Sequence, residues 1–167
     1  MKRMNVSELK DNMFDAIGKE WMLVTAGTPE RFNLMTASWG GIGVLWGRPV
    51  AFVFIRPERY TYGFVEQGDT LTLSFLGAEH KQVHGICGSK SGRDTDKVAE
   101  AGLPPLVTEQ GNVTYEEARL VLECRKLYAD AIDPACFTDP SLVSRWYGAH
   151  GGFHKMYVVE IINVWTK

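Results

Sequence analysis

The sequence predicts a mainly β protein, built as an antiparallel barrel with inserted helices. Residues 70–75 alternate polar and apolar side chains with a period of two, and residues 50–55 form a continuous apolar run; both patterns are typical of strands. The connections in the first half of the chain have only hairpin length, which favours an antiparallel over a parallel sheet. With 167 residues, we expect one domain that spans residues 1–167.

The first half of the chain is predicted to contain a short helix and a β-hairpin. Ser7 is expected to cap a helix that ends at about Gly18, and its apolar face consists of Leu9, Met13, Phe14 and Ile17. Residues 21–25 and 33–40 are predicted to be the hairpin strands, joined through a Gly-Thr-Pro turn. A loop is expected next, because the chain is rich in glycine there: Gly40, Gly41, Gly43 and Gly47. Residues 50–55 are predicted to be a central strand, buried on both faces.

The second half is predicted to mix short helices with further strands. Arg56-Pro57 ends the central strand, and residues 60–67 are expected to form a short helix. Residues 78–102 are predicted to be helical with a loop at 88–92, followed by β stretches at about 105–115 and 119–130. After a section rich in Pro and Asp, residues 156–165 are the last predicted strand. The total is roughly seven strands.

Composition and charge exclude several classes of protein. The net charge of −2 gives no basic surface for a nucleic acid, so we expect no nucleic-acid partner. The first residues lack the apolar core of a signal peptide and no apolar run is long enough to span a bilayer, so we expect no membrane association and a cytoplasmic location. The three cysteines, Cys87, Cys124 and Cys136, are predicted to be small buried hydrophobes in a reducing compartment.

The first segment suited to binding a ligand is the predicted strand at 33–40. Thr36 and Ser38 offer hydroxyl groups, and the small side chain of Ala37 would let a ligand approach the backbone. The alternative interpretation is an ordinary strand with one hydrophilic face.

The second segment, residues 56–61, is predicted to bind phosphate. Arg56 and Arg59 follow the end of a strand, and Thr61 stands at the start of a helix. Free backbone N–H groups at a helix N-terminus, a hydroxyl and a guanidinium together suit a phosphate group. Alternatively, Thr61 is only a helix cap and the arginines are solvated.

The third segment, residues 87–94, lies between two predicted helices. Ser89, Lys90 and Ser91 are flanked by glycines, but the spacing is wrong for a Walker motif. The segment would close over a phosphate or a ring. In the alternative it is a helix–helix connector in which Ser91 caps the next helix, with Asp94 at the third position.

Two histidine pairs, His80/His84 and His150/His154, have the i, i+4 spacing of metal ligands on a helix. Neither carries the adjacent Glu of a zinc protease, and we interpret His80/His84 as a pair facing solvent. No metal site is predicted.

Taken in order, these segments resemble the flavin reductase family, and within it the flavoredoxin-like branch. The likeness is carried by four motifs in order: Asn33-Leu34-Met35-Thr36-Ala37-Ser38-Trp39-Gly40-Gly41, Arg56-Pro57-x-Arg59-Tyr60-Thr61, residues 87–97 ending in Arg93-Asp94-x-Asp96-Lys97, and residues 123–128 together with 154–161. It extends from about residue 12 to residue 162.

The resemblance implies an FMN-binding split β-barrel and a homodimer with the flavin near the subunit interface. It implies that residues 35–39 (Met35, Thr36, Ala37, Ser38 and Trp39) line the isoalloxazine with Asn33 nearby, that residues 56–61 (Arg56, Arg59, Tyr60 and Thr61) hold the phosphate side, and that Ser89, Lys90 and Ser91 close the pocket. Two departures are Val159, where the family commonly has Gly, and the glycine-rich stretch 148–152.

The flavin would carry the redox chemistry while the protein positions it. Lys90 is expected to place a positive charge near the ring, and His154 is predicted to face the substrate. Two functions follow from the resemblance: a flavin reductase that uses NAD(P)H as electron donor, or an electron-transfer protein that receives electrons from a redox protein partner. A binding barrel without turnover and an enzyme similar to pyridoxamine-phosphate oxidases are further alternatives.

Overall fold

In the computed structural model, which describes residues 1–148 and 152–167, an eight-stranded antiparallel sheet and a two-stranded ribbon carry five short helices. The strands are β1 (Lys2–Met4), β2 (Met22–Thr28), β3 (Arg31–Ala37), β4 (Gly40–Leu45), β5 (Arg48–Ile55), β6 (Thr70–Phe75), β7 (Pro105–Val107), β8 (Val113–Tyr115), β9 (Leu120–Ala131) and β10 (Lys155–Thr166). The helices are α1 (Met13–Asp15), α2 (Tyr60–Gln67), α3 (Lys81–Ser89), α4 (Lys97–Ala101) and α5 (Pro140–Trp146), and a π-turn at Ala16–Glu20 extends α1.

The large sheet is a split barrel, as predicted. Its strand order is β3-β2-β6-β9-β10-β5-β4, with β1 paired to β10. The outermost strands β3 and β4 are consecutive in the chain, and only Ser38 and Trp39 separate them. Three Cα steps reach at most about 11 Å, so the two edges of the sheet must curl towards each other. Ser38 and Trp39 therefore lie at the seam of the barrel.

Two apolar clusters hold this architecture together. The larger fills the barrel with side chains from most strands of the large sheet, and Tyr157 and Phe75 are its largest members. The smaller lies on the outside of the sheet, where α3, α4 and the β7–β8 ribbon cover Leu23, Leu34 and Val121. Cys87 and Cys124 are buried as predicted, whereas Cys136 is exposed. None of the described helices is long and apolar enough to cross a membrane.

Most elements lie where the sequence predicts them. The β2–β3 hairpin, α2, β6, β9 and β10 agree within a few residues, and the predicted helical stretch 78–102 divides into α3 and α4. The stretch predicted as one strand at 105–115 is instead the β7–β8 ribbon. β5 is buried on one face and only half-buried on the other, because Phe52 and Phe54 remain partly exposed.

The N-terminal helix differs from the prediction. Asn12, not Ser7, caps α1, because its side chain accepts the Phe14 N–H. Ser7 lies in a separate helical turn that Asn5 caps. Phe14 is 90% exposed and so does not belong to the apolar face.

The glycine-rich stretch after residue 40 is strand β4, not a loop. Gly40 has a φ of 155°, and a Cβ there would lie 2.7 Å from the Phe52 carbonyl oxygen of the neighbouring strand. Glycine lets the two backbones approach, so here it marks close strand pairing and not a turn.

Helix caps in the second half also differ from prediction. Asp96, not Ser91, caps α4 by accepting the Val98 and Ala99 N–H groups. The section rich in Pro and Asp contains α5, which Asp139 caps with Pro140 in the first turn.

Candidate functional site

Strand β3 directs its side chains alternately to two environments. Met35 and Ala37 are buried in the barrel core, so only their backbone remains available to a ligand. Leu34 and Thr36 face α3, and Thr36 Oγ1 donates to the His84 carbonyl oxygen at 2.7 Å. Leu34 and Thr36 are therefore packed against α3, and Ser38 and Trp39 follow the end of the strand.

Asn33 joins β3 to the start of α2. Its Nδ2 donates to Thr61 Oγ1 at 2.8 Å, and both residues are buried. Gly92, in the loop between α3 and α4, packs so closely that a Cβ there would lie 2.1 Å from Asn33 Oδ1 and 3.1 Å from a ring carbon of Tyr60. The three segments singled out in the sequence thus meet at Asn33.

Arg59 links the same segments by a second route. Its Nη1 donates to the Gly88 carbonyl oxygen at 2.9 Å, and burial lowers the pKa of its guanidinium below the usual value. Arg59 also occupies the position before α2, where no side chain caps the first helical turn in the described part of the chain. Uncapped first-turn N–H groups favour an anion.

The sequence prediction omitted Lys97, which lies in the centre of this region. It is only 4% exposed, and its Nζ donates to the carbonyl oxygens of Leu34 and, at 3.4 Å, of Cys87. No carboxylate pairs with it among the described residues, and burial together with the Arg59 charge lowers its pKa to about 8. A buried cation without a carboxylate suits an anionic ligand. Its only sequence signal is its place at the end of the third motif.

We use the term anion cluster for Asn33, Arg59, Thr61, Gly92 and Lys97. Arg93 and Tyr60 flank it: the guanidinium lies 4.9 Å from the centre of the Tyr60 ring. Two cations, a buried hydroxyl and a helix N-terminus therefore lie in one region of the structure.

Arg56 is turned away from the anion cluster. Its Nη2 donates to the Trp146 carbonyl oxygen, and its guanidinium lies 5.1 Å from the centre of the Tyr147 ring. The side chains of the predicted phosphate segment therefore make different contacts: Arg59 and Thr61 contact Gly88 and Asn33, whereas Arg56 contacts Trp146 and Tyr147.

Three predicted residues of the third segment make only local contacts. Lys90 forms an ion pair with Glu100. Ser89 Oγ donates to the Gly85 carbonyl oxygen, and Ser91 Oγ accepts the Arg93 N–H. Their contact with a ligand stays a prediction, and for Lys90 it requires the ammonium to leave Glu100.

A group of aromatic side chains lies beside Arg56. The rings of Trp39 and Trp146 lie 4.9 Å apart and nearly perpendicular at 86°, and Trp39 lies 5.1 Å from the ring of His154. His154 Nδ1 hydrogen-bonds the Tyr147 hydroxyl at 2.9 Å. Burial and the Arg56 charge lower the pKa of His154 to about 4, so its imidazole is neutral at pH 7.

The histidine pairs do not form a metal site in the described part of the chain, where no cluster of three ligand side chains occurs. His84 is 1% exposed, which corrects the prediction that it faces solvent: it packs between Thr36 and the Trp21 ring. His150 of the second pair lies outside the described residues.

The sequence profile of the flavin reductase like domain matches residues 14–167. The chain belongs to this family. No curated protein sequence matches this flavin reductase-like chain.

Solved structures share the fold of this chain. An FMN-binding protein from Thermus thermophilus with bound p-hydroxybenzaldehyde superposes with a TM-score of 0.70 at 21% identity, over 100% of this chain and 82% of that one. Flavoredoxin from Methanosarcina acetivorans gives 0.68 at 18% identity, over 100% and 76%. The NADH:FAD oxidoreductase of Streptomyces globisporus, in complex with NAD and FAD fragments, gives 0.65 at 17% identity, over 89% and 75%.

Proposed function

We propose that this flavin reductase-like chain binds FMN, with the phosphate in the anion cluster and the ring along β3 towards Trp39. The observation that carries the proposal is Lys97, a buried cation that no carboxylate neutralises among the described residues, beside the buried Asn33–Thr61 hydrogen bond. FMN-binding proteins among the structural relatives support the same cofactor.

The residues present fit a phosphate group. Asn33 donates to Thr61 Oγ1, so the hydroxyl proton of Thr61 is left to donate to a phosphate oxygen. Lys97 and Arg59 supply charge, and the first turn of α2 supplies backbone N–H groups. Gly92 permits a close approach of the backbone that any side chain would block.

Bound FMN would supply the ability to accept and donate electrons. Strand β3 offers backbone groups at Ala37 and Ser38 to the edge of a ring, while the side chains of Met35 and Ala37 keep that strand anchored in the core. The protein therefore supplies position and electrostatics, and none of its side chains is required as an acid or base.

We propose that the activity is that of a flavin oxidoreductase that uses NAD(P)H as electron donor, as the family and the NADH:FAD oxidoreductase relative suggest. Flavoredoxin among the relatives favours the alternative of electron transfer with a redox protein partner. A location in the cytoplasm stays a prediction.

We also propose a homodimer. Val44 and Trp46 at the end of the β4–β5 hairpin are 79% and 59% exposed, and the Trp46 ring contacts that of Tyr128 on β9. Exposed apolar residues grouped in this way are typical of an interface between subunits.

The test is reconstitution of the purified protein with FMN and, separately, with riboflavin. We expect one FMN per chain and tighter binding of FMN than of riboflavin, since only FMN reaches the anion cluster with a phosphate. Lys97→Met should abolish most of this preference, while Lys10→Met, at an exposed position, should keep it. Failure to bind FMN would refute the proposal; equal affinity for both flavins would refute the phosphate assignment.

The electron donor is tested on the FMN-loaded protein under anaerobic conditions. Bleaching of the flavin by NADH or NADPH supports the reductase. Bleaching by dithionite alone refutes it in favour of an electron-transfer protein.

A further inference from the structure

Two exposed tryptophans, Trp39 and Trp146, and the buried His154 form an aromatic corner beside Arg56. Trp39 and Trp146 are 39% and 42% exposed, and their nearly perpendicular rings contact each other edge to face, so each indole keeps part of its surface open to a ligand. His154 adds a third ring to this corner. A planar molecule would stack on one ring and meet the edge of another, which is the arrangement that aromatic rings prefer.

Arg56 adds a positive charge that is held in place. Its guanidinium rests on the Tyr147 ring and donates to the Trp146 carbonyl oxygen, so its orientation is fixed. A guanidinium has five N–H donors, and the structure assigns only one of them a hydrogen bond within the described residues. The others remain able to bind a carboxylate or carbonyl oxygen.

The charges around the corner favour an anion. Glu58 Oε1 lies 3.6 Å from Arg56 Nη1. A second cation, the Arg145 guanidinium, lies 5.1 Å from the centre of the Trp146 ring. These three groups sum to one positive charge. His154 adds none at neutral pH, because it is neutral and its Nδ1 is engaged by the Tyr147 hydroxyl.

We infer that the corner of Trp39, Trp146 and His154 is a subsite for a planar aromatic monoanion, such as an aryl carboxylate, whose ring contacts the indoles and whose carboxylate binds Arg56. This inference rests on the proposed function in one respect, because it assigns a ligand class to a site that lies beside the flavin only if FMN binds as proposed. Binding at the corner itself uses only residues of this chain.

The corner is distinct from the flavin phosphate site. The Arg56 guanidinium contacts Trp146 and Tyr147, whereas the anion cluster is held by contacts to Leu34, Gly88 and Thr61. A phosphate in the anion cluster and a carboxylate on Arg56 would therefore bind different side chains.

The experiment is a titration of benzoate into the FMN-loaded protein and into the flavin-free protein. Binding is measured by calorimetry and by tryptophan fluorescence. Cyclohexanecarboxylate, with the same charge and a saturated ring, and benzyl alcohol, aromatic but neutral, are the comparison ligands. We expect benzoate to bind at least tenfold more tightly than either. Equal affinity for benzoate and either comparison ligand overturns the inference.

Matched variants locate the subsite. Trp146→Leu and Arg56→Gln should each weaken benzoate binding about tenfold or more, and Arg56→Lys should restore part of the loss. Trp165→Phe, which replaces a tryptophan that contacts Arg3 of β1, should leave benzoate binding unchanged. If Trp165→Phe weakens binding as much as Trp146→Leu does, the ligand binds elsewhere and the inference is wrong. Circular dichroism shows whether each variant is folded. If a variant does not fold, the comparison of the three ligands on the unsubstituted protein is the test of the inference.

Failure of the two proposals is distinguishable. If FMN does not bind, benzoate affinity of the flavin-free protein still tests the corner. If benzoate and FMN displace each other competitively, the corner belongs to the flavin ring and the separate subsite is refuted, while FMN binding stands.

Discussion

Asn33 Nδ2 donates to Thr61 Oγ1 at 2.8 Å, with both residues buried, and this single contact connects the β3 edge of the barrel to the first turn of α2. Two residues 28 positions apart in the chain thus fix the geometry of the anion cluster. The contact orients the Thr61 hydroxyl, since a hydroxyl that accepts from Asn33 has its proton left for another partner.

Replacing the hydroxyl tests that role. Thr61→Val leaves Asn33 Nδ2 buried without an acceptor, and we expect a loss of about 1–3 kcal/mol in the free energy of unfolding. FMN affinity should fall by roughly one to two decades, because a hydrogen bond to a charged group contributes about 1.5–3 kcal/mol. The reduction potential of bound FMN should stay nearly unchanged. Thr138→Val, at an exposed position, is the control for denaturation and FMN titration.

The close packing of the loop at Gly92 predicts that no side chain is tolerated there. A methyl group at Gly92 would overlap Asn33 Oδ1, so Gly92→Ala should destabilise the protein and weaken FMN binding. Gly85 in α3 has open space around its Cβ position, and Gly85→Ala should therefore stabilise by about 0.5–1 kcal/mol. Urea denaturation of both variants checks the contrast. Similar effects from the two substitutions would contradict the close contact at Gly92.

Lys97 predicts a specific dependence on pH. Its pKa falls from 10.5 when unfolded to about 8 when folded, so between these values the unfolded chain binds more protons and stability rises with pH. The free energy of unfolding of the unsubstituted protein, relative to Lys97→Met, should rise by about 3 kcal/mol across this window. FMN affinity should decline above about pH 8, where Lys97 loses its charge. A pH-independent difference between the two proteins would show that Lys97 is solvated.

His154 predicts a loss of stability at acid pH. Its folded pKa of about 4 lies below the ordinary 6.5, so the stability it contributes is lost as the pH falls through this interval. We expect its imidazole resonances to stay constant between pH 5.5 and 8 in the folded protein, and to titrate near 6.5 in denaturant. A midpoint near 6.5 in the folded protein would contradict the burial of the His154 ring.

While it is paired with Glu100, Lys90 is predicted to have little influence on FMN binding or on the reduction potential of bound FMN. Because it pairs with Glu100 at a largely exposed position, Lys90→Met should change neither FMN affinity nor reduction potential appreciably. A lowered potential with retained FMN would instead place its ammonium beside the ring. Redox titration of the variant separates the two outcomes.

Local signals in the sequence predicted much of the fold. The Arg-Pro stop after β5 and the period-two pattern of β6 specify those elements without long-range information. Strand β4 was missed because its glycines indicate a loop by local rules, whereas Gly40 permits a close approach to the backbone of Phe52 on the neighbouring strand. Helix α5 was missed although Asp139-Pro140 is a start signal, since its context is rich in residues that disfavour helices.

The candidate site was predicted as three segments, and the structure brings those segments together. The omission of Lys97 has a physical cause, because a lysine in a polar motif is exposed by default and only packing against Leu34 and Cys87 buries it. The separation of Arg56 from Arg59 has a similar cause. It depends on Trp146, which is 90 residues away in the sequence, and on its neighbour Tyr147, and both reach Arg56 only in the folded chain.

The two-residue connection between the outermost strands makes the chain divisible. Cleavage between Ser38 and Trp39 would sever no strand pairing, since β3 is held by β2 and β4 by β5. Fragments 1–38 and 39–167 would thus retain complementary, interlocking surfaces, with β2 inserted beside β6 of the other piece. The seam is therefore the place at which two separately produced fragments are expected to reassemble. Reassembly would restore the contact between Asn33 and Thr61, which lie on different fragments.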